Sequence, residues 1–275
     1  MSGFPADWLS LREPVDRRSR DSEILAAIAA YFRDRPGVTV TDLACGQGAL
    51  LRALRDYLPA RQHWLLIDND EALLAIARRE RGATIFVESR LADLNGGIEE
   101  IMAAEADLVV STAFIDLVSD DWLARLARGA AKAAVPVYLA LTYDGHTVCR
   151  PHHARDDDVT AAFHRHQHGD KGFGPALGPD AAAAAARHFA AQGYDVLSRR
   201  ADWRLAANER PVQERMVLGW FDAAGEVATV PPAALAEWRD RRLGWIAEGR
   251  SEMLVGHVDI WAVPPTAASG GRTLR

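Results

Sequence analysis

Thr39-Val40-Thr41-Asp42-Leu43-Ala44-Cys45-Gly46-Gln47-Gly48 decides how this chain is read. A β-rich apolar run ends in a glycine-containing turn, and the helical pattern of 48–58 follows at once. Glycines at such a turn let backbone approach a bulky ligand, and the helix start offers N–H groups with no partner inside the helix. The next apolar run, 63–68, ends in Asp68, twenty residues beyond Gly48. A carboxylate at the end of the second strand is placed to accept hydrogen bonds from both hydroxyls of a ribose. Turn and acid together fit a dinucleotide or another adenosine-containing cofactor. A dinucleotide fingerprint calls for a third glycine, G-x-G-x-x-G, where this chain has Leu51.

Outward from the turn, short β-rich runs alternate with helical patterns. Strands are expected at 38–44, 63–68, 83–88, 107–111 and 135–141, with helices at 48–58, 71–81, 97–104 and 121–131. This alternation predicts a parallel sheet covered on both faces, its strand ends and loops forming one ligand-binding rim. Before it, Ile24, Leu25, Ile28 and Phe32 mark an amphipathic helix over 21–33, stopped by Pro36-Gly37. After it the rhythm breaks, and 143–178, rich in Gly, Asp and His, reads as a loop or partly helical insertion. A helix at 179–192, a strand at 194–205, helices at 211–224 and 232–248 and a final strand at 253–263 complete the pattern. Residues 264–275 read as a disordered tail.

Asp42-Leu43-Ala44-Cys45-Gly46-Gln47-Gly48, with Asp68 behind it, resembles the first motif of the class I S-adenosylmethionine-dependent methyltransferases. The resemblance extends over roughly 38–141. It implies an α/β fold, a doubly wound, mostly parallel seven-stranded sheet with an antiparallel last strand. An N-terminal helical segment (1–36) would cover the cofactor. A domain over 37–263 would carry a lid at 143–178 and a helical insertion at 208–250. The cofactor implied is S-adenosyl-L-methionine. By motif, Ala44, Cys45, Gly46 and Gly48 would line its methionine part, and Asp42 would organise the turn and the amino group. Asp68 would hold the ribose with Asn69 beside it. Asp93 and Leu94 would meet the adenine, and Ser111 and Thr112 would lie next to the sulfonium. Arg20, in a stretch similar to one that covers the cofactor in some members, would pair with the methionine carboxylate. Cys45 reads as a packed small residue rather than a nucleophile.

Methyl transfer needs alignment and exclusion of water, and a base only where the acceptor must lose a proton. No fixed catalytic constellation stands out. Six of the nine histidines fall in the expected lid, where His166 is a candidate base and substrate contact and Lys171 a candidate anchor for an anionic acceptor. His164, His166 and His168 have no accompanying carboxylate or cysteine pattern that specifies a metal, so none is expected.

Ser111-Thr112-Ala113-Phe114 stands where methyltransferases of bases or glutamine carry an Asn/Asp-Pro-Pro-aromatic motif, and the Pro-Cys of cytosine enzymes is missing too. The formal charge of −6 over 275 residues also speaks against a broad nucleic-acid surface. A small-molecule acceptor is therefore expected. Arg17-Arg18 and residues 239–242 read as solvated helix faces. Two cysteines, no apolar run near the roughly 20 residues of a membrane span and no leader-like start make a cytoplasmic protein the expectation. The alternatives are an NAD(P)-dependent oxidoreductase on a similar sheet and a non-catalytic S-adenosylmethionine-binding protein.

Overall fold

The computed structural model describes residues 5–102 and 105–265. Two helices, α1 (Ala6–Ser19) and α2 (Ser22–Phe32), lead into β1 (Gly37–Leu43), α3 (Ala49–Leu54), β2 (Arg61–Asp68), α4 (Glu71–Ala77) and β3 (Ile85–Leu91). Then come α5 (Leu94–Met102), β4 (Leu108–Thr112), α6 (Asp120–Ala133), β5 (Val137–Arg150) and α7 (Asp156–Gln167). The remainder is α8 (Ala181–Ala191), β6 (Asp195–Arg200), β7 (Trp203–Leu205), α9 (Arg210–Val227), α10 (Pro232–Ala247) and β8 (Glu252–Val263).

The strands form one sheet in the order β3-β2-β1-β4-β5-β8-β6, with β7 also paired to β8. β1 to β5 are mutually parallel, and β8 runs antiparallel to β5, β6 and β7. β1 and β4 sit at the centre and are buried nearly throughout, which is why they read as apolar runs. Their side chains alternate between two apolar clusters. Val40, Leu108 and Val110 join Ile24, Ile28 and Leu50 on one face, while Leu43 and Val109 join Ile98, Leu123 and Phe189 on the other. Among the described residues, no helix is long and apolar enough to cross a membrane.

The parallel half follows the sequence pattern closely; the second half departs from it. β5 does not stop at 141 but continues to Arg150, pairing with β8 through two register shifts, between Leu139 and Thr142 and between Tyr143 and Thr147. The first residues assigned to the lid are thus strand, and the histidine-rich stretch is α7. Asp156, Asp157 and Asp158 open that helix and His164, Arg165 and His166 close it, a charge order that the helix dipole favours. Of the expected lid, only 151–155 and 168–177 lack a helix or named strand. The single strand expected at 194–205 is split at Ala201-Asp202, so the described sheet has eight strands rather than seven. α5 starts three residues earlier than expected because the Asp93 carboxylate accepts the Asn95 N–H (2.9 Å); residues 103 and 104 lie outside the described residues. So do 266–275 of the expected tail.

α7, α9 and α10 pack together as a cap beside the β5–β8 extension. Its centre corrects another expectation, since Arg242 is no solvated residue but fully buried. Its Nε donates to Asp156 Oδ1 (3.1 Å), its Nη1 to the Pro151 carbonyl (2.7 Å) and its Nη2 to Asp156 Oδ2. Trp238 Nε1 donates to the same carboxylate (2.9 Å). Trp220, Trp238 and Trp245 are buried in this cap, so they are core first.

Candidate functional site

The turn between β1 and α3 is held from two sides. Gly46 N donates to Asp68 Oδ2 (2.7 Å), Cys45 N to the Ile67 carbonyl (3.0 Å), and Gly48 N to the Cys45 carbonyl (3.0 Å). Gly46 (φ 53°) and Gly48 (φ 82°) take left-handed backbone, and so does Ala44 (φ 54°), a conformation costing a non-glycine residue of order 1 kcal/mol. Ala113 (φ 49°) and Leu141 (φ 52°) do the same, after β4 and at the β5 bulge. Three of the five non-glycine residues with left-handed backbone among the described residues thus sit just past β1 and β4 and at the adjoining β5 bulge, along the rim where ligands bind in open α/β sheets. A shallow hollow of about 410 Å³ lined by Gly37, Thr39, Arg61, His63 and Asp107 lies at the opposite, amino-terminal rim and carries no such chemistry.

α1 closes over the turn. A side chain at Gly46 would meet Leu9 Cδ1 at 3.3 Å, Ser10 bonds Gln47, and Arg52 Nε and Nη2 clasp Glu13 (2.5 and 2.6 Å). At its other side α1 reaches β7 and α9: Arg18 pairs with Glu209, and Arg12 lies 4.9 Å above the Trp203 ring.

Beneath the turn lies a column of buried polar groups. Asp42 is fully buried in β1, and neither carboxylate oxygen has a hydrogen-bond partner. Arg20, just past the end of α1, donates Nη2 to Thr112 Oγ1 (3.3 Å), while its Nε and Nη1 are buried and unpartnered. Burial pushes the Asp42 carboxyl well above the usual range; Arg20 opposes that shift and Asp68 adds to it. Burial draws Arg20 down, but Tyr138, Asp259 and Asp16 more than offset this. Asp259, in β8, accepts from Tyr138 Oη (2.8 Å), Leu141 N (2.8 Å) and Asp21 N (3.0 Å), tying β5 and the start of α2 to one carboxylate.

Asp68 is buried at the end of β2, one oxygen accepting Gly46 N and the other Asp70 N (3.0 Å). Burial raises its pKa, and the N–H groups of Gly46, Asp70 and Asn69 hold it back. The carboxylate still has acceptor capacity to spare. Asn69 is exposed beside it. Asp93 is exposed at the start of α5, and the buried Leu94 gives its carbonyl to Trp122 Nε1 (2.8 Å). Ser111 is committed elsewhere: its hydroxyl donates to the Leu43 carbonyl (2.8 Å) and locks β4 to β1. Cys45 is buried and its thiol is pushed up by burial, then by Asp42 and Asp68, so it is not a thiolate nucleophile.

The histidine segment divides by helix face. Residues two apart point in nearly opposite directions on a helix. His164 faces β5, its Nε2 2.9 Å from Tyr143 Oη; His166 faces α9 and pairs with Glu226 (3.0 Å); His168 meets the Ala176 carbonyl (3.2 Å). The structure therefore brings His164, and not His166, to the interior. Among the described residues no three candidate ligands converge as a metal site. Lys171 is partly buried on the loop whose Asp170 carboxylate accepts Gly172 N (2.7 Å) and Gly174 N (3.0 Å). That loop lies on the end of β4 through Phe173, edge-on to Phe114 and Trp122. Tyr138, Asp259, Tyr143 and Asp116 were not singled out from sequence. A charged residue inside the apolar run of β8 was the one available signal, for Asp259.

The sheet order, the antiparallel final strands, the glycine turn and the acid after β2 define a class I methyltransferase fold. Residues 40–136 match the model of a methyltransferase domain. The chain thus carries a methyltransferase domain over these residues, and S-adenosylmethionine is the cofactor that the motif resemblance implies. Among curated proteins, none matches it by sequence. Among solved structures it resembles the cyclopropane synthase MmaA2 from Mycobacterium tuberculosis, 15% identical, over 93% of this chain and 94% of that one, with a TM-score of 0.50. The YcgJ protein from Bacillus subtilis is 12% identical over 90% of this chain and 100% of its own, with a TM-score of 0.48. Phosphoethanolamine N-methyltransferase 2 from Haemonchus contortus, in complex with S-adenosylhomocysteine, is 14% identical over 96% of this chain and 59% of its own, at 0.46.

The residues present fit this cofactor. Two buried oxygens on Asp42 and two buried nitrogens on Arg20, all without partners, complement the amino and carboxylate groups of an amino acid.

Proposed function

We propose that the protein transfers the methyl group of S-adenosylmethionine to a small-molecule acceptor by in-line displacement. The observation that carries this reading is the set of unpartnered polar atoms on Asp42 and Arg20, buried directly below the glycine turn. Desolvated groups of opposite sign left unpaired in a core are costly unless a ligand completes them. Arg20 holds the methionine carboxylate, and Asp42 holds the amino group. Ala44, Cys45, Gly46 and Gly48 present backbone along the same chain. Asp68 accepts from the ribose hydroxyls with Asn69 beside it. Asp93 and the Leu94 N–H meet the adenine edge, and Thr112, which accepts from Arg20, lies next to the sulfonium. The cofactor supplies an electrophilic methyl on a cationic sulfur; the protein's task is to align the acceptor with it and exclude water.

The small-molecule reading is supported by α1, which reaches from the glycine turn to Trp203 in β7 and to Glu209 before α9 and so lies across the side a polymer would need open. The charge of −6 and Ser111-Thr112-Ala113-Phe114 after β4 support it too. The two buried free cysteines support a cytoplasmic setting.

Calorimetric titration with S-adenosylhomocysteine tests the reading. Binding in the micromolar range is expected, with Asp68→Ala weakening it by about 10- to 100-fold, roughly 1.4–2.7 kcal/mol, and NADH giving no heat. A folded protein that ignores S-adenosylhomocysteine, or binds NADH instead, sinks the proposal.

A further inference from the structure

Between α1, the turn after β4 and the bulged end of β5 lies a second group of buried ionisable side chains that the cofactor reading does not use. Asp116 stands in the short turn Ile115–Leu117, four residues past Thr112. The residue as a whole is partly buried, but its Oδ1 is sealed from solvent and has no hydrogen-bond partner. Arg12 and Tyr143 both lie close enough to sense its charge. Those two are the ends of a chain of ring contacts. Arg12 sits over Trp203, Trp203 lies 5.1 Å from His257, and His257 lies 6.2 Å from Tyr143. Trp8 adds an edge against Trp203 at 6.2 Å. Tyr143 owes its direction to the bulge in β5, and its Oη is fixed between Thr147 Oγ1 (3.1 Å) and His164 Nε2 (2.9 Å).

The charges around this space do not cancel. Arg12 gives Nε and Nη2 to Asp16 (2.9 and 3.2 Å), so that pair is neutral. His257 donates Nδ1–H to the Val255 carbonyl (3.0 Å), and burial, reinforced by Arg12, lowers it to about 3. Burial and His168 lower His164, and burial raises Tyr143 and Cys149 each to about 12, so all four are uncharged at neutral pH. Asp144 and Asp202, the other acids near Tyr143 and His257, are both engaged by Arg200. Burial pushes Asp116 up to about 6, with its own backbone N–H and Arg12 holding it back, and above that it is ionised. One carboxylate without a counter-ion is left, on a turn that packs against β5.

We propose that this group is the acceptor subsite and that it takes an amine, with Asp116 Oδ1 as the catalytic carboxylate. The inference rests on the methyl-transfer reading above. Asp116 pairs with the incoming ammonium and accepts the proton that must leave before the nitrogen has a lone pair to donate. The C–N bond then forms at the methyl carbon as the C–S bond breaks. The electron pair stays on sulfur, and the products are the N-methylated amine and S-adenosylhomocysteine. Trp203, His257 and Tyr143 cover the apolar body of the acceptor, and the ring faces favour its positive charge.

The test is calorimetry on the S-adenosylhomocysteine-loaded protein with matched probes: aryl-alkyl and alkyl amines, phenethylamine first, against their alcohol and carboxylate isosteres. The amines are expected to bind at least ten-fold more tightly than either isostere. Asp116→Asn should remove that preference while leaving S-adenosylhomocysteine affinity within about two-fold, and Asp116→Glu should restore part of it. Wild-type amine binding should fall as the pH drops below about 6. Carboxylates or alcohols binding as well as amines, amine affinity unchanged in Asp116→Asn, or no amine bound by protein that binds S-adenosylhomocysteine would each overturn the assignment. Failure to bind S-adenosylhomocysteine is a separate result that falls on the proposed function instead.

Discussion

Two of the buried arginines, Arg20 beneath the glycine turn and Arg242 in the cap, are treated in opposite ways. Arg242 spends its donors on Asp156 and the Pro151 carbonyl, and Asp156 takes Trp238 as well. Arg20 makes one long bond to Thr112, with two nitrogens bare beside a carboxylate that has no partner at all. A core built only for stability satisfies what it buries. The contrast separates a charge that holds the fold together from one held ready for something that arrives from solution.

Breaking the satisfied pair should have the largest effect. Asp156→Ala leaves Arg242 buried without a counter-charge and is expected to lower stability by about 3–5 kcal/mol, read from urea unfolding. A loss under 1 kcal/mol would show the cap to be loosely assembled. The unsatisfied site should behave the other way. Asp42→Asn removes a desolvated carboxyl and is expected to leave stability unchanged or raise it, while S-adenosylhomocysteine affinity falls about ten-fold, or about 1.4 kcal/mol.

The same carboxyl sets a pH dependence. Its folded pKa is raised above the unfolded one, so as pH climbs from near 4 through the folded value this group disfavours the unliganded fold. A ligand ammonium beside it favours ionisation, so wild-type binding should release a proton and tighten with pH, and Asp42→Asn should lose both effects. Calorimetry in buffers of different ionisation enthalpy reads that proton directly. Ser111→Ala should cost about 1–2 kcal/mol in stability through the lost bond to Leu43, yet leave cofactor affinity within two-fold. His166→Ala, on the α9 side of its helix, should change stability by less than about 0.5 kcal/mol and leave affinity alone; a large loss of turnover would return that histidine to the site.

Legibility from sequence follows the same divide. The strand, turn and helix around Asp42–Gly48 are contiguous, and Asp68 follows at the spacing one crossover imposes, so chemistry and fold could be read together. The other half depends on partners far apart in the chain. β5 extends to Arg150 only because β8 pairs with it, Arg150 lying opposite Glu252. No local pattern announces that, and Gly145, Pro151 and the aspartates of 143–158 look like loop. Asp259 meets partners 118 to 238 residues away, and Asp116, Tyr143 and His257 come from three separate elements. In α7 the period of the histidines was visible, but which of them turns inward depends on the helix's orientation. That is set by α9 and Tyr143.

α1 brings residues to both halves. Leu9, Ser10 and Glu13 clasp the turn, Arg12 and Asp16 border the acceptor space, and the helix ends at Arg20. Whatever immobilises Arg20 therefore also sets the bearing of Arg12, one helix turn after another along the same rod. In steady-state kinetics this favours an ordered sequence, cofactor on first and its demethylated product off last, with the unclasping of α1 as a natural bottleneck between cycles.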